Sequence, residues 1–373
     1  MKKVLIVGSG WAGTSASYLL ENSGISTTIF EKNNVVGGHS RSEILNNIIY
    51  EPNGPHIFHT SIERVNKFVV KFGMNRKFKH QIKSRIYPDS LNGESLLVSW
   101  PPQVSELKKL KEWKKIESEL ENLPKNPKVE NFETYAISIM GQTLYDLFIY
   151  GYTKKQWDLE PTNLSSNFAP KRIDLRYDNN KAIFKDKWEY FHPEGSGKVI
   201  ENILKNKEVI LNQKININNL NEIENFDCVI ITAPLDEFLY EEIKLDWRGI
   251  ESRPIFYENI ENNQYVTEAY QINHPSLNEK FTRTVETKHA SGQSVVGSIV
   301  VEEYSKPNIR HYPVFRIEKN NTEINENLKN EIIKESKFPT YFCGRLANYT
   351  YINQDQAIEQ GFQCAEEIIK FLS

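Results

Sequence analysis

Cysteine is scarce in this chain, and the three that are present lie far apart. Cys228, Cys343 and Cys364 are the only cysteines among 373 residues. Disulfide-stabilised secreted domains and zinc sites use more cysteines at closer spacing, so both classes are excluded. The first two lie within apolar, strand-like runs. We predict that the cysteines contribute to packing of the core.

Long apolar runs and an excess of one charge are also missing. No stretch approaches the roughly 18 apolar residues of a membrane-spanning helix, and Lys and Arg (46) nearly balance Asp and Glu (49). A membrane span is therefore excluded, and no basic surface for nucleic acid is indicated. Glycines interrupt the apolar start at residues 4–7 and no small-residue cleavage site follows, which argues against a signal peptide. We expect a cytoplasmic protein of two or three domains.

Glycine is concentrated in the first forty residues. The apolar run that ends at Val7 leads into Gly8, Gly10 and Gly13, spaced G-x-G-x-x-G, and a helical pattern follows. Gly8 permits a tight turn, Gly10 lets the backbone approach a pyrophosphate, and Gly13 lets the helix pack on the strand. The N-terminus of that helix, which includes Trp11 and Ala12, favours an anion. The pattern predicts a dinucleotide site.

An acid ends the second predicted strand, eighteen residues beyond Gly13. Glu31 is suited to the ribose hydroxyls of an adenosine, and Lys32 follows it. The glycine motif alone does not choose NAD over FAD. Gly37 and Gly38, followed by His39, resemble the extension with which flavoproteins fold the chain back over the cofactor. The sequence therefore favours FAD.

The periodicity along the chain predicts an α/β fold with a discontinuous, Rossmann-like FAD-binding domain. The strand and helix style of the N-terminus returns at residues 227–234 and again over the last fifty residues, whereas residues 265–315 alternate as in an antiparallel sheet. The predicted boundaries are 1–79, 190–245 and 320–373 for the FAD-binding domain, 80–165 for a helical insertion domain, and 166–189 with 246–319 for an antiparallel sheet domain that carries the substrate.

Residues 104–123 form a lysine-rich amphipathic pattern in the helical domain. Its apolar stripe consists of Leu107, Leu110, Trp113 and Ile116. A stripe of this kind needs cover, so we expect it to take part in a homodimer contact.

Two histidines, His56 and His59, lie three residues apart. A zinc pair needs a helix at this spacing, but Gly54 and Pro55 just upstream indicate a loop. We therefore predict no metal site.

Five separate stretches follow one another in the order and at the approximate spacing of a single family. They are Gly54-Pro-His-Ile-Phe-His59-Thr, Gly151-Tyr-Thr-Lys-Lys-Gln-Trp157, Phe281-Thr-Arg283 with Glu286-x-Lys288-His289, Tyr312-Pro313, and Gly344-Arg345-Leu-Ala-x-Tyr-x-Tyr351. Together they resemble the bacterial UDP-galactopyranose mutases, and the resemblance spans essentially the whole chain.

The resemblance implies a flavoenzyme that interconverts the pyranose and furanose forms of a nucleotide-activated sugar without net redox change. In this family, N5 of reduced FAD attacks the anomeric carbon, the nucleotide diphosphate leaves, and the ring opens through a flavin-sugar iminium before it recloses. This is covalent catalysis in which the cofactor supplies the chemistry. UDP-galactopyranose is the expected substrate. Sister mutases acting on dTDP-fucopyranose or UDP-N-acetylgalactopyranose are the alternatives.

The same resemblance implies roles for two arginines. Arg283 lies in the matching Phe-Thr-Arg motif, and Arg176 lies on an irregular charged loop, shared with Arg172, where the family carries its other diphosphate-binding arginine. Arginine suits this task because its planar fork holds two phosphate oxygens at once. Both are predicted to be catalytic, together with His56 and His59 beside the flavin.

Further residues are assigned by the same matches. Tyr152 would stack on the base with Phe148 one turn earlier, Thr153 and Trp157 would lie near the substrate, and the hydroxyls of Tyr312 and Tyr351 would bind phosphate oxygens. Gly344 and Arg345 would contact the flavin or its ribityl chain. A helix that begins near Asp355 would direct its positive end at the flavin.

Some positions depart from the family pattern. His39 replaces an asparagine after the glycine pair, and Trp188 stands where a further tyrosine contacts the diphosphate. An indole donates one N–H but accepts nothing. These changes lie at the sugar and flavin end, so the identity of the sugar and the choice of uridine or thymidine stay open. An amine oxidase-like oxidoreductase is the alternative of another class.

Overall fold

A computed structural model describes residues 2–167, 173–240 and 244–373. Over these residues the strands are β1 (Lys3–Val7), β2 (Ser26–Phe30), β3 (Glu43–Leu45), β4 (Ile48–Tyr50), β5 (Phe58–Thr60), β6 (Ile82–Ile86), β7 (Leu96–Trp100), β8 (Trp188–Tyr190), β9 (Glu208–Ile210), β10 (Cys228–Ile231), β11 (Trp247–Tyr257), β12 (Gln271–Asn273), β13 (Arg283–Val285), β14 (Ser298–Pro307), β15 (Tyr312–Pro313) and β16 (Thr340–Phe342).

The α-helices of the same residues are α1 (Trp11–Asn22), α2 (Glu63–Lys71), α3 (Val104–Leu107), α4 (Trp113–Glu121), α5 (Phe132–Met140), α6 (Gln142–Tyr145), α7 (Gly151–Trp157), α8 (Ser196–Leu204), α9 (Ile217–Leu220), α10 (Leu235–Leu239), α11 (Lys288–Ser291), α12 (Asn321–Glu335) and α13 (Gln354–Leu372). Single 3₁₀ turns occur at Gly38–Ser40, Asp89–Leu91 and Pro161–Asn163, and a π-helical turn spans Asp146–Tyr150.

A five-stranded parallel sheet forms the nucleotide-binding part of the molecule. Its strand order is β16-β10-β1-β2-β9. Successive residues of β1 point to opposite faces: Val4 and Ile6 pack into one apolar cluster with α1 and α13, and Leu5 and Val7 pack into another with α10 and α12. Since both faces are covered, this is the predicted doubly wound α/β fold.

A seven-stranded sheet forms the second layer, in the order β15-β11-β14-β13-β12-β6-β7. It is antiparallel except at β12, which pairs in parallel with β6. The prediction that residues 80–165 form a helical domain is wrong for the first part of that range, because β6 and β7 lie in it and belong to this sheet. In β6, Ile82, Ser84 and Ile86 are buried and alternate with half-buried residues, which is the period-two pattern of a strand.

Helices α3 to α7 form the rest of the predicted helical domain around one apolar cluster. The expected helix over residues 104–123 is two short helices, α3 and α4. Leu107, Leu110 and Ile116 are buried in the cluster and Trp113 packs against it. The apolar stripe is therefore covered by residues of the same chain and does not need a second subunit to bury it. The homodimer stays a prediction.

The three cysteines are free and buried, as expected, and all lie in the apolar cluster between α1 and α13. Among the described residues, no helix is both long and apolar enough to cross a membrane.

Candidate active site

The glycine motif forms a tight turn between β1 and α1. Gly8 has a φ of +103°, and a Cβ there would lie 2.3 Å from the Thr232 hydroxyl oxygen. A Cβ on Gly13 would lie 2.2 Å from the Gly8 carbonyl oxygen, so α1 closes on the turn because both positions lack side chains. Gly10 precedes α1 and has open space around it. The first N–H groups of α1 are therefore accessible to an anion such as a pyrophosphate.

A cavity of about 670 Å³ begins at this turn and extends toward the second sheet. Its volume is in the range of sites for small molecules and cofactors. The predicted cofactor-binding residues in its lining are Gly8, Gly10, Trp11, Ala12, Glu31, Lys32, Gly38, His39, His56, Gly344 and Arg345. Gly13 does not line the cavity; it allows helix α1 to pack closely against the turn that does.

Glu31 lies at one end of this cavity with its carboxylate already engaged. One oxygen accepts hydrogen bonds from the backbone N–H (3.0 Å) and the hydroxyl (2.7 Å) of Ser9. The other accepts bonds from the backbone N–H (3.0 Å) and the side-chain amide (2.6 Å) of Asn33. A carboxylate has about four acceptor positions, so a ribose hydroxyl would replace one of these donors. The Ser9 hydroxyl and the Asn33 amide are the groups that can rotate away.

Three neutral imidazoles gather at the other end of the cavity. The rings of His39 and His311 lie 4.2 Å apart, and the His311 Nδ1 accepts a hydrogen bond from the Ile250 N–H. Burial and the Arg345 guanidinium lower the pKa of His56 and of His311 to about 3. Burial, His311 and Arg345 lower the pKa of His39 as well. These rings therefore stay uncharged at neutral pH and offer hydrogen bonds without adding positive charge.

Arg345 connects the imidazoles to two stacked tyrosines. The rings of Tyr312 and Tyr351 lie 5.5 Å apart and nearly parallel, and the Arg345 guanidinium lies 5.2 Å from each ring centroid. Its Nε donates to the Ile352 carbonyl at 3.1 Å. Burial raises the pKa of Tyr312, so its hydroxyl keeps its proton as a donor.

Arg283 lies beside these tyrosines on β13. Its Nε forms a buried ion pair with Glu303 on the neighbouring strand β14. A Cβ on Gly54 would lie 3.4 Å from both the Arg283 Nη2 and the Tyr312 hydroxyl. The turn before His56 therefore lies against Arg283 and Tyr312, and its neighbours Asn53 and His56 line the cavity described above.

A helical segment with a π turn in its middle supplies the remaining aromatic residues. Phe148 lies in the π turn, and Tyr152, Thr153 and Trp157 lie on α7, which continues from it. Such π turns often occur at functional sites. The Trp157 and Tyr312 rings are 6.1 Å apart, and burial raises the pKa of Tyr152 while Arg283 opposes that rise. This segment thus brings the base-binding candidates to the Arg283 cluster.

Comparison with known proteins now decides the family. The model of the UDP-galactopyranose mutase family matches residues 147–351, more than half of the chain, and a model of NAD(P)-binding Rossmann-like domains matches residues 6–72. The chain belongs to the UDP-galactopyranose mutase family. It is a flavin-dependent pyranose mutase, an isomerase, and FAD is its cofactor.

Two relatives of this mutase cover almost its full length. The dTDP-fucopyranose mutase of Escherichia coli is 29% identical, with 99% of this chain and 99% of that protein aligned. The probable UDP-galactopyranose mutase of Klebsiella pneumoniae is 25% identical, over 99% of this chain and 95% of that protein.

Solved structures agree on the fold. A crystal structure of reduced UDP-galactopyranose mutase superposes with a TM-score of 0.79 at 16% identity, covering 100% of this chain and 96% of that one. A redesigned putrescine oxidase has the same general fold, with a TM-score of 0.61 at 13% identity and 99% coverage of both chains.

The residues of the mutase fit FAD where the sequence placed it. The turn at Gly10 leaves open space at the start of α1, the Glu31 carboxylate is suited to ribose hydroxyls, and the neutral imidazoles and Arg345 offer polar groups to a flavin in the same cavity. Gln354 is the first residue of α13. It accepts from the Trp11 indole N–H at 2.8 Å and donates to the His56 carbonyl at 3.2 Å, so it links the first residue of α1 to the segment that contains His56.

The Arg176 guanidinium is held by residues of its own loop. Its side chain is 6% exposed. Its Nε pairs with Asp174 at 3.0 Å, and one Nη donates to the Asn180 carbonyl at 2.9 Å. A role in diphosphate binding would require this loop to release the guanidinium, and that role stays a prediction. Arg172 lies outside the described residues.

Trp188 and His59 also lie away from the cavity lining. Trp188 pairs with Thr60 on β5 and packs against the core of the parallel sheet. The His59 ring stacks on Phe184 at 3.5 Å, and its Nδ1 lies 2.7 Å from the Asp186 carboxylate. Asp355, in the first turn of α13, is buried. Burial raises its pKa, while His59 opposes that rise. Contacts of these three residues with flavin or substrate stay predictions.

Glu51 is a buried acid that the sequence analysis missed. Its Oε2 accepts hydrogen bonds from the His56 N–H (2.9 Å) and the Tyr270 hydroxyl (2.8 Å), and its Oε1 lies 4.0 Å from the His56 Nδ1. Burial raises the pKa of Glu51 to about 7. An acid that follows a buried strand and precedes a proline was the only signal in the sequence.

We expect Glu51→Gln to change how stability depends on pH. A carboxyl whose pKa is raised in the folded state contributes stability that is complete below its unfolded pKa of 4.5 and is lost as the pH rises through about 7. Relative to the unsubstituted enzyme, the variant should gain about 3 kcal/mol between pH 4.5 and 8. Denaturant unfolding of the FAD-bound protein at several pH values measures this difference.

Glu258→Gln is the matched control, because Glu258 is exposed. Parallel pH profiles for Glu51→Gln and the unsubstituted enzyme would show that the Glu51 carboxyl titrates normally and would contradict the prediction.

Proposed function

We propose that this mutase interconverts the six-membered and five-membered ring forms of a hexose attached to a pyrimidine nucleoside diphosphate. The observation that supports this most strongly is the convergence of Arg283, Tyr312 and Tyr351 beside the His56 end of the FAD cavity. A guanidinium and two phenol hydroxyls suit a diphosphate. A sugar attached to a diphosphate at this position would lie next to the flavin, where its bond to the diphosphate can be broken.

Each group then has a specific task. Arg283 uses its Nε on Glu303, which fixes the plane of the guanidinium and leaves the Nη groups for diphosphate oxygens. Tyr312 and Tyr351 donate their hydroxyls, and Tyr152 with Phe148 contacts the base. Reduced FAD, when bound, supplies the nucleophile that replaces the diphosphate on the sugar. The protein holds the diphosphate close by, so that it can return after the ring has reclosed.

The neutral imidazoles fit a reaction that passes through charged species. An imidazolium at His39, His56 or His311 would be repelled by the Arg345 guanidinium. Because the pKa values of these three histidines are lowered by burial and by Arg345, the rings add no positive charge at neutral pH. Electrostatic attraction of the diphosphate is left to the arginines.

UDP-galactopyranose is the first candidate substrate, since the matching family model carries that name. A second candidate is dTDP-fucopyranose, and a specific observation favours it: the dTDP-fucopyranose mutase is 29% identical, whereas the probable UDP-galactopyranose mutase is 25% identical over the same share of this chain. The cytoplasm, where nucleotide sugars are made and thiols stay reduced, is the proposed location. The three free, buried cysteines support it.

The deciding experiment offers the pure enzyme both sugars. The protein is reduced with dithionite and incubated separately with the pyranose and furanose forms of the two candidates, and the ring isomers are followed by chromatography. We expect one pair to interconvert with reduced enzyme, with no conversion by oxidised enzyme and no reductant consumed per turnover. Peroxide release from an amine in air, without ring isomerisation, would instead establish the oxidase alternative.

A further inference from the structure

Lys155 on α7 places its ammonium among four backbone carbonyl oxygens. The Nζ lies 2.6 Å from the His274 oxygen, 2.6 Å from the Ser276 oxygen, 2.9 Å from the Glu279 oxygen and 2.8 Å from the Phe281 oxygen. An ammonium has three N–H donors, so all of them are used and one is shared. A part-buried cation with every donor satisfied indicates a built contact, because an unsatisfied one would be costly.

The neighbouring lysine behaves differently. Lys154 pairs with Glu160 at 2.6 Å, and 40% of its side chain is exposed. Lys154 thus pairs with an exposed acid, whereas the next residue, Lys155, contacts the four backbone carbonyl oxygens, which we call the carbonyl cage. The position of Lys155 on the helix, rather than a general need for positive charge, decides its contacts.

The cage belongs to the segment that leads into Arg283. The four carbonyls lie between β12 and β13, and Phe281 is two residues before Arg283. One turn before Lys155 on the same face of α7, a Cβ on Gly151 would lie 2.1 Å from the Pro275 oxygen. Helix α7 therefore meets this segment at two points one turn apart, a close backbone approach at Gly151 and the ammonium at Lys155.

We propose that Lys155 is a positioning residue that fixes the base-binding helix α7 to the strand of Arg283. It sets the separation between Tyr152, which contacts the base, and the guanidinium that holds the diphosphate. This inference rests on the proposed function, because the distance matters only if one ligand spans both groups. Lys155 itself touches neither base nor phosphate in this arrangement.

Nucleotide binding tests the inference without requiring turnover. Lys155→Met keeps most of the alkyl stem and removes the ammonium, and Lys154→Met is the matched control. We expect Lys155→Met to bind UDP or dTDP about tenfold more weakly while it keeps a full complement of FAD, and Lys154→Met to bind normally. Isothermal titration with UDP and dTDP and the flavin absorbance per protein measure both quantities.

Chemical rescue separates positioning from a general loss of packing. In Lys155→Ala, added methylammonium or ethylammonium can occupy the carbonyl cage, and we expect it to restore a large part of the lost nucleotide affinity. Neither amine should affect Lys154→Ala. A lysine that only stabilised the fold would shift the melting temperature without a change in nucleotide affinity that the amines reverse.

The unsubstituted enzyme gives an independent test if these variants fail to fold. Burial lowers the pKa of Lys155 to about 8, and Glu279 opposes that shift. Glu279 also accepts a hydrogen bond from Tyr87, and burial raises the pKa of Tyr87. His274 contacts Glu279 through its Nδ1 at 3.3 Å. Because an ammonium is needed to fill the cage, nucleotide affinity should fall as the pH rises above about 8.

The outcomes are distinguishable. Unchanged nucleotide affinity in Lys155→Met would overturn the positioning role. If the unsubstituted enzyme binds neither UDP nor dTDP, the proposed function itself fails.

Discussion

Replacing Arg283 by alanine is expected to lower turnover about a thousandfold. The guanidinium would stabilise the charge that gathers on the departing diphosphate, because its planar, permanently charged fork can hold two phosphate oxygens. Arg283→Lys should recover only a small part of the activity, because an ammonium is a compact point charge and lacks the planar fork that matches two phosphate oxygens. Single-turnover conversion of the nucleotide sugar by reduced enzyme measures the loss.

The same substitution is expected to destabilise the protein, since it leaves Glu303 buried without its partner. Breaking a buried ion pair costs about 3–5 kcal/mol. Burial already raises the pKa of Glu303 against the influence of Arg283, so the isolated carboxyl would take up a proton. The double variant Arg283→Ala/Glu303→Gln should therefore regain stability while it remains inactive.

Arg253→Ala is the matched control, because Arg253 is 54% exposed and pairs with Glu251 at the surface. It should retain full activity. Recovery of turnover in the Arg283→Ala/Glu303→Gln variant would contradict a role in diphosphate binding and would leave Arg283 with a purely structural one.

The parts of the site that the sequence predicted well are those that local chemistry determines. The turn from Gly8 to Gly13 depends mainly on the close approach of Gly13 to the Gly8 carbonyl oxygen, five residues earlier. Its geometry therefore follows from the spacing of the glycines. The motifs around Tyr152, Arg283 and Tyr351 were each visible as short stretches, and their common location followed from the family resemblance. The fold class was predictable for the same reason, since buried strands and amphipathic helices alternate.

Non-local contacts account for what the sequence analysis missed. Strand β6 shows a period-two pattern, but its partner β12 lies almost two hundred residues further along the chain, and propensity does not reveal such a pairing. Glu51 gains its importance from Tyr270, which is equally distant. Arg176 was assigned from its position on a charged loop, whereas its side chain is held by Asp174 and by carbonyls of that same loop. The conformation of a loop is decided by contacts that a motif does not encode.

Substitution of the glycines in the turn after β1 has the second large expected effect, and Gly13→Ala and Gly10→Ala should affect stability and FAD binding differently. Gly13→Ala would place a methyl group 2.2 Å from the Gly8 carbonyl oxygen. That oxygen is backbone, so helix α1 would have to move, and we expect a loss of about 3 kcal/mol in the free energy of unfolding together with loss of FAD. Gly10→Ala should fold normally, because its φ of −73° suits alanine and its surroundings are open.

FAD binding and stability together distinguish these two effects. Gly10→Ala should lose FAD although it is stable, because its methyl group would occupy the space where the backbone approaches the pyrophosphate. Gly24→Ala is the control: its φ of +80° is strained for alanine, but nothing lies near the added Cβ. It should cost about 1 kcal/mol and bind FAD fully. Flavin absorbance per protein and denaturant unfolding give both readouts. A Gly10→Ala protein that retains FAD would mean that the pyrophosphate does not lie at this turn, whatever the rest of the cavity binds.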